Sequence, residues 1–143
     1  LPLLLQLLLS KKMDSHLKIT GSLLIILGLI HSIFPRYFNW KEELKNVSLI
    51  NKEIMYVHTF FIGLIVFLMG LLCLLASDDL LNTSLGHKIL KGFSIFWGFR
   101  LIMQFFGYSS IIWKGKKFET TIHIVFALFW FYLTTLFGYC AFN

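Results

Sequence analysis

Four apolar stretches, each long enough to cross a lipid bilayer, constrain this chain more than any other feature. They run approximately over Leu17–Phe34, Ile54–Ala76, Leu85–Ile112 and Thr120–Ala141, and no Asp or Glu falls inside any of them. The hydrocarbon layer asks for about 17 to 25 residues of helix per crossing. A soluble alternative fails on composition. Of 143 residues, 57% are hydrophobic and 14% charged, whereas soluble domains carry about 25% charged residues. A core of this size cannot hide that excess. The expected fold is all-α: a polytopic membrane protein, an antiparallel four-transmembrane-helix bundle in a single domain over residues 13–143.

The first twelve residues, LPLLLQLLLSKK, are apolar but too short to span, and they have neither the basic start nor the small-residue cleavage pattern of a secretory signal. Met13 opens MDSHLKITGSLL just ahead of the first span. Residues 1–12 are therefore read as an extension outside the native fold, with a peripheral amphipathic anchor as the alternative.

The formal charge of +6 is spread around the ends of the spans and forms no stripe, which argues against nucleic acid. With four spans, the loops after the first and third share one membrane face. That face carries Arg36, Lys41, Lys45, Lys52, Lys114, Lys116 and Lys117, against Lys18, Lys88 and Lys91, plus Lys11 and Lys12, on the other. The positive-inside rule then places the two-loop face in the cytoplasm and both termini outside. Cys73 and Cys140 read as buried apolar thiols.

The first loop predicts a short interfacial helix. Asn39 and Glu42 have capping-box spacing, and Trp40, Leu44 and Val47 fall on one side, with Tyr37 and Phe38 beside them. Pro35 is expected to end the first span, and Ser84 to cap the third. Gly21 and Gly28 stand seven apart, as do Gly63 and Gly70, a spacing that lets helices approach closely in lipid. His123, Ala127, Trp130 and Thr134 mark one face of the fourth span.

Polar residues concentrate in one half of the bilayer. His31, His58 and His123 each lie about one turn inside a span at the two-loop face, roughly 4 to 6 Å deep. Arg100 is deeper, and Gln104 and Tyr108 follow it at i+4 and i+8, on one side of the third helix. Each histidine also has a plain role in hydrogen bonding between helices. Tyr56, Tyr108, Trp40 and Trp113 suit an interfacial aromatic belt, and Thr59, Thr134 and Thr135 suit bonds to their own helix carbonyls.

Arg100 resists a plain reading. A cation at that depth costs a few kcal/mol unless it snorkels, pairs or meets water, and Glu53 and Glu119 sit only at span boundaries. Arg100 is expected to face the interior and bind the anionic or carbonyl part of a small hydrophobic ligand, with Gln104, Tyr108, His31, His58 and His123 as polar lining. A quinone, an acidic lipid or another small anion fits that set. Haem is a further candidate, since His31 with His58, or His58 with His123, could supply two axial nitrogens, and an arginine can pair a propionate. A three-histidine metal site is disfavoured because no carboxylate orients it. No catalytic constellation is present: Ser109 and Ser110 lack a base–acid pair, which leans away from an enzyme. The competing class is a non-catalytic accessory subunit of a larger membrane complex, in which the same groups lock helices together or meet a protein partner.

The stretch GLIHSIFPRYFNWKEELKNVSLINKEIMYVHTFF, with His31, Pro35, Trp40, Tyr56 and His58, and the later Trp97, Arg100, Gln104 and Phe105, resemble a family of small, uncharacterised bacterial four-span membrane proteins. The resemblance covers nearly all of residues 13–143, and is similar more loosely to DoxX-like proteins in architecture. It implies a four-helix fold in a bacterial inner membrane, and it implies no activity.

Overall fold

The computed structural model describes residues 2–143; Leu1, part of the expected extension, lies outside the described residues. Helix α1 spans Pro2–Ile30, α2 Phe34–Tyr37, α3 Trp40–Glu43, α4 Leu49–Leu75, α5 Ser77–Asn82, α6 Ser84–Phe106 and α7 Lys117–Phe142, with a short 3-10 turn at Ser110–Ile112. No strand occurs among the described residues. Helices α1, α4, α6 and α7 contain 29, 27, 23 and 26 residues and are all apolar enough to cross a membrane. At about 1.5 Å per residue even α6 spans the hydrocarbon layer. Large side chains such as Phe60, Phe61, Phe99, Leu128 and Phe131 are exposed, which in water would be untenable and in lipid is expected. The protein is an all-α membrane protein.

Two compact units divide the chain, one up to Ser77 and one from Asp78 to Asn143. Each is an antiparallel helical hairpin, α1 with α4 and α6 with α7.

In the first hairpin, Leu17, Thr20, Gly21, Leu24, Leu27 and Gly28 of α1 are buried, as are Gly63, Val66, Gly70 and Cys73 of α4. The paired glycines carry this seam. A Cβ on Gly70 would stand 2.6 Å from the Gly21 carbonyl oxygen, and one on Gly28 would stand 2.7 Å from that of Gly63. Backbones therefore touch at both levels, one heptad apart, the close approach that small residues permit in lipid. The second hairpin uses the same seven-residue repeat with large side chains. Leu90, Trp97 and Gln104 of α6 are buried, and so are His123, Trp130 and Phe137 of α7.

Several boundaries, caps and contacts differ from those expected. Helix α1 continues without a break from Pro2 through Lys11, Lys12 and Asp14, so the apolar start and the first span form one helix. Asp14 accepts from Ser77 and pairs with Lys18, while residues 2–12 are exposed. The helix ends at Ile30, before Pro35, which instead sits in the first turn of α2, where its missing amide donor costs nothing. The short helix α3 does form after Asn39, but Asn39 is left-handed, with φ 48°, and its side chain makes no capping bond. Asparagine tolerates that conformation better than most residues. Trp40 is buried and meets Tyr56 edge-on at 5.2 Å, so it serves as packing rather than as a belt residue. Thr83, not Ser84, caps α6: its hydroxyl accepts from the Gly86 amide at 2.9 Å. The third span ends at Phe106 rather than near Ile112.

Candidate functional site

Arg100 sits six residues before the end of α6, and His123 six residues after the start of α7. Both therefore lie about 9 Å from the connecting loop. The early end of α6 makes Arg100 shallower than the apolar run suggested. Its side chain reaches forward along the helix toward the loop end, with Nη1 donating to Gln104 Oε1 at 3.1 Å.

Gln104, only 6% exposed, is the hub. Its Oε1 also accepts from Trp130 Nε1 at 3.3 Å, and its Nε2 lies 3.0 Å from His123 Nδ1. Arginine and tryptophan nitrogens only donate, so the amide oxygen must face them and the NH2 must face the histidine. That amide donates, so His123 Nδ1 accepts, and the neutral imidazole carries its proton on Nε2. Two donor-only groups thus set a histidine tautomer on the neighbouring helix through one amide.

Aromatic rings close the site. Trp130 stacks on Trp97 at 4.9 Å and 11°, and His123 stacks on Trp113 at 4.4 Å and 10°. The loop is folded back to allow the second contact: Gly115 takes a positive φ of 80°, and Thr120 Oγ1 donates to the Trp113 carbonyl at 2.6 Å. Only glycine adopts that φ without strain. Phe105 meets the other side of His123 edge-on at 5.8 Å. The Arg100 guanidinium carbon lies 5.0 Å from the Trp130 ring and 5.7 Å from Tyr108. Such cation–π contacts contribute about 0.5 to 2 kcal/mol, more when desolvated. The indole nitrogens of Trp97 and Trp113 are buried without a hydrogen-bond partner.

Among the described residues the ion pairs are Lys18–Asp14 and Lys45–Glu42, so no carboxylate neutralises Arg100. A guanidinium has five N–H donors, and one protein acceptor is recorded for it. The charge is held by π faces and an amide oxygen.

The candidate residues separate by hairpin. Arg100, Gln104, His123 and Tyr108 come together in the second. Tyr108 does so from beyond the end of α6 rather than on the helical i+8 register, because Gly107 ends the helix. His31 and His58 belong to the first hairpin. The Nδ1 atoms of both bond to carbonyls of the preceding turn, Leu27 at 2.8 Å and Ile54 at 2.9 Å. His31 is half-buried against Phe34, at 4.7 Å, and His58 is exposed. A Cβ on Gly63 would meet that of His31 at 2.8 Å. The helices are in contact there, and beside that contact a cavity of about 430 Å³ is lined by His31, Pro35, Tyr56, Thr59 and Phe60. No group of three metal-ligating side chains occurs among the described residues.

Sequence reasoning named Trp97 only in the family resemblance, not as a site residue, and gave Trp113 to the aromatic belt. Trp97 shares the Gln104 face at a seven-residue spacing, which was a usable signal. Trp113 carried none, since only the fold-back of the loop brings it to His123. Thr134 and Thr135 do bond to their own helix, at the Trp130 and Phe131 carbonyls.

Comparisons of this chain with protein-family models, with curated proteins and with solved structures found no match.

Proposed function

We propose that the second hairpin binds the acceptor-bearing head of a small, lipid-soluble ligand at Arg100, in the inner membrane of a bacterium with the basic loops on the cytoplasmic side. The observation that carries this reading is a guanidinium inside a membrane helix that has one amide acceptor and no acidic partner. Unpaired intramembrane charges of this kind are costly and mark ligand or ion sites.

The surrounding chemistry narrows the ligand. Gln104 Oε1 already takes two donors, and the deduced His123 tautomer presents N–H rather than a lone pair. Apart from the Tyr108 hydroxyl, which can donate or accept, the free groups nearest Arg100 are donors, so the complement is an acceptor: a carboxylate, a phosphate or a quinone carbonyl.

The test is to purify the wild-type protein and Arg100→Leu from native membrane in a lipid-preserving polymer, then analyse organic extracts by mass spectrometry and the intact protein by absorption near the haem Soret band. The wild type should carry an acceptor-bearing lipid-soluble compound that the folded variant lacks. Equal content in the two proteins, or a stoichiometric protein partner in place of a ligand, would refute the reading in favour of an accessory subunit.

A further inference from the structure

One face of helix α6 carries a shallow, open depression of about 480 Å³, bordered by its own Gly92, Ile95, Phe96, Phe99, Arg100 and Met103. These positions repeat at three and four residues, so they form one continuous face. From Gly92 to Met103 it runs about 16 Å. The walls are apolar, and Ile95, Phe99 and Met103 are largely exposed. The one charge is Arg100, whose guanidinium turns toward Gln104 and the loop end.

Gly92 is the telling position. Glycine inside a helix is disfavoured relative to alanine, and other glycines here earn their place by contact. Gly86 abuts the Asp79 and Leu80 backbone, and Gly98 faces Thr134. A Cβ on Gly92 would meet nothing within 4 Å. Its small size serves no packing within its own hairpin; it opens a notch at the far end of the groove. At the Arg100 end the loop carries Lys114 and Lys116, and the first turn of α7 carries Lys117 with Glu119 as the single acid.

We infer that this groove holds one acyl chain of an anionic phospholipid. The phosphate lies toward Arg100 and the basic loop, and the chain lies along Phe99 and Phe96 to the Gly92 notch. Charge complementarity selects the head, because a cation within the apolar layer and three lysines at the interface favour a lipid of net negative charge. The apolar strip and the notch select a chain over a compact ring. This inference rests on the Arg100 reading above and names its ligand class.

The experiment places the full chain in nanodiscs of equal palmitoyl-oleoyl phosphatidylglycerol and phosphatidylcholine, then counts retained lipids by native mass spectrometry. The wild type should retain phosphatidylglycerol over phosphatidylcholine by about tenfold, equivalent to about 1.4 kcal/mol. Arg100→Gln should abolish the preference, and so should Gly92→Phe, which fills the notch and leaves the charge in place. If Gly92→Phe keeps the preference while Arg100→Gln loses it, the chain assignment is overturned and the Arg100 site stands. A preference that survives Arg100→Gln overturns the phospholipid assignment. So does a Gly92→Phe protein that fails to fold in phosphatidylcholine alone, since the groove would then be filled by protein. A milder Gly92→Leu, read in the same discs, should lower retention partway; unchanged retention again counts against the chain.

Discussion

Replacing Gln104 by leucine should unfasten the site without changing its size. Three contacts end on that amide: Arg100 Nη1 at 3.1 Å, Trp130 Nε1 at 3.3 Å and His123 Nδ1 at 3.0 Å. Hydrogen bonds between membrane helices average about 0.6 kcal/mol, and one to a charged group contributes about 1.5 to 3. Two neutral bonds and one charged bond therefore sum to about 3 kcal/mol. Leucine returns part of this through dispersion, leaving an expected loss of about 2 kcal/mol. Leaving the other groups intact also strands their donors in a buried place, which keeps the loss from being smaller. The assay is reversible unfolding in mixed micelles for wild type, Gln104→Leu, Arg100→Leu and the double variant. The cycle should show a coupling of about 1 kcal/mol or more between positions 100 and 104, since the charged bond is lost only once. A Gln104→Leu cost below about 0.5 kcal/mol, or no coupling, would show that the amide does not hold the guanidinium, and the donor-only description of the site would fall with it.

Three further outcomes follow from the packing. Gly70→Leu should destabilise the first hairpin by about 2 kcal/mol or more, because its Cβ would strike the Gly21 carbonyl and the Ile25 backbone rather than a movable side chain; the same unfolding assay reads it, and tolerance would refute the touching seam. Thr83→Ala should cost about 1 kcal/mol through the lost cap while Ser84→Ala costs little, checked by the helical circular dichroism of each variant on heating. Trp97→Phe removes a buried indole N–H that has no partner, so it should lower stability by less than the roughly 3 kcal/mol of a large core truncation, and a loss of that size would point to an acceptor bound at that nitrogen.

The apolar lengths alone determined that this chain is helical and lives in lipid, because crossing a bilayer is a local requirement that each segment meets by itself. The glycine pairs at seven-residue spacing likewise foretold the α1/α4 seam, since in lipid only small residues let backbones touch. Where hydropathy was continuous the boundaries were misplaced: the apolar run continues to Ile112 although Gly107, a common helix-ending residue, is where α6 stops, and α1 ends at Ile30, short of the Pro35 expected to end it. Arg100 and Gln104 could be placed on one face from their spacing. Their partners could not, because the faces of α6 and α7 are both aromatic and apolar all round, and the periodicity that separates inside from outside in a soluble helix is weak. Tertiary structure decided that His123 joins Gln104 while His31 and His58 bond to their own helices, that Trp113 turns back onto an imidazole, and that nothing packs against Gly92. Those outcomes depend on which residues meet across a hairpin, a distance in space that spacing along one strand of sequence does not encode.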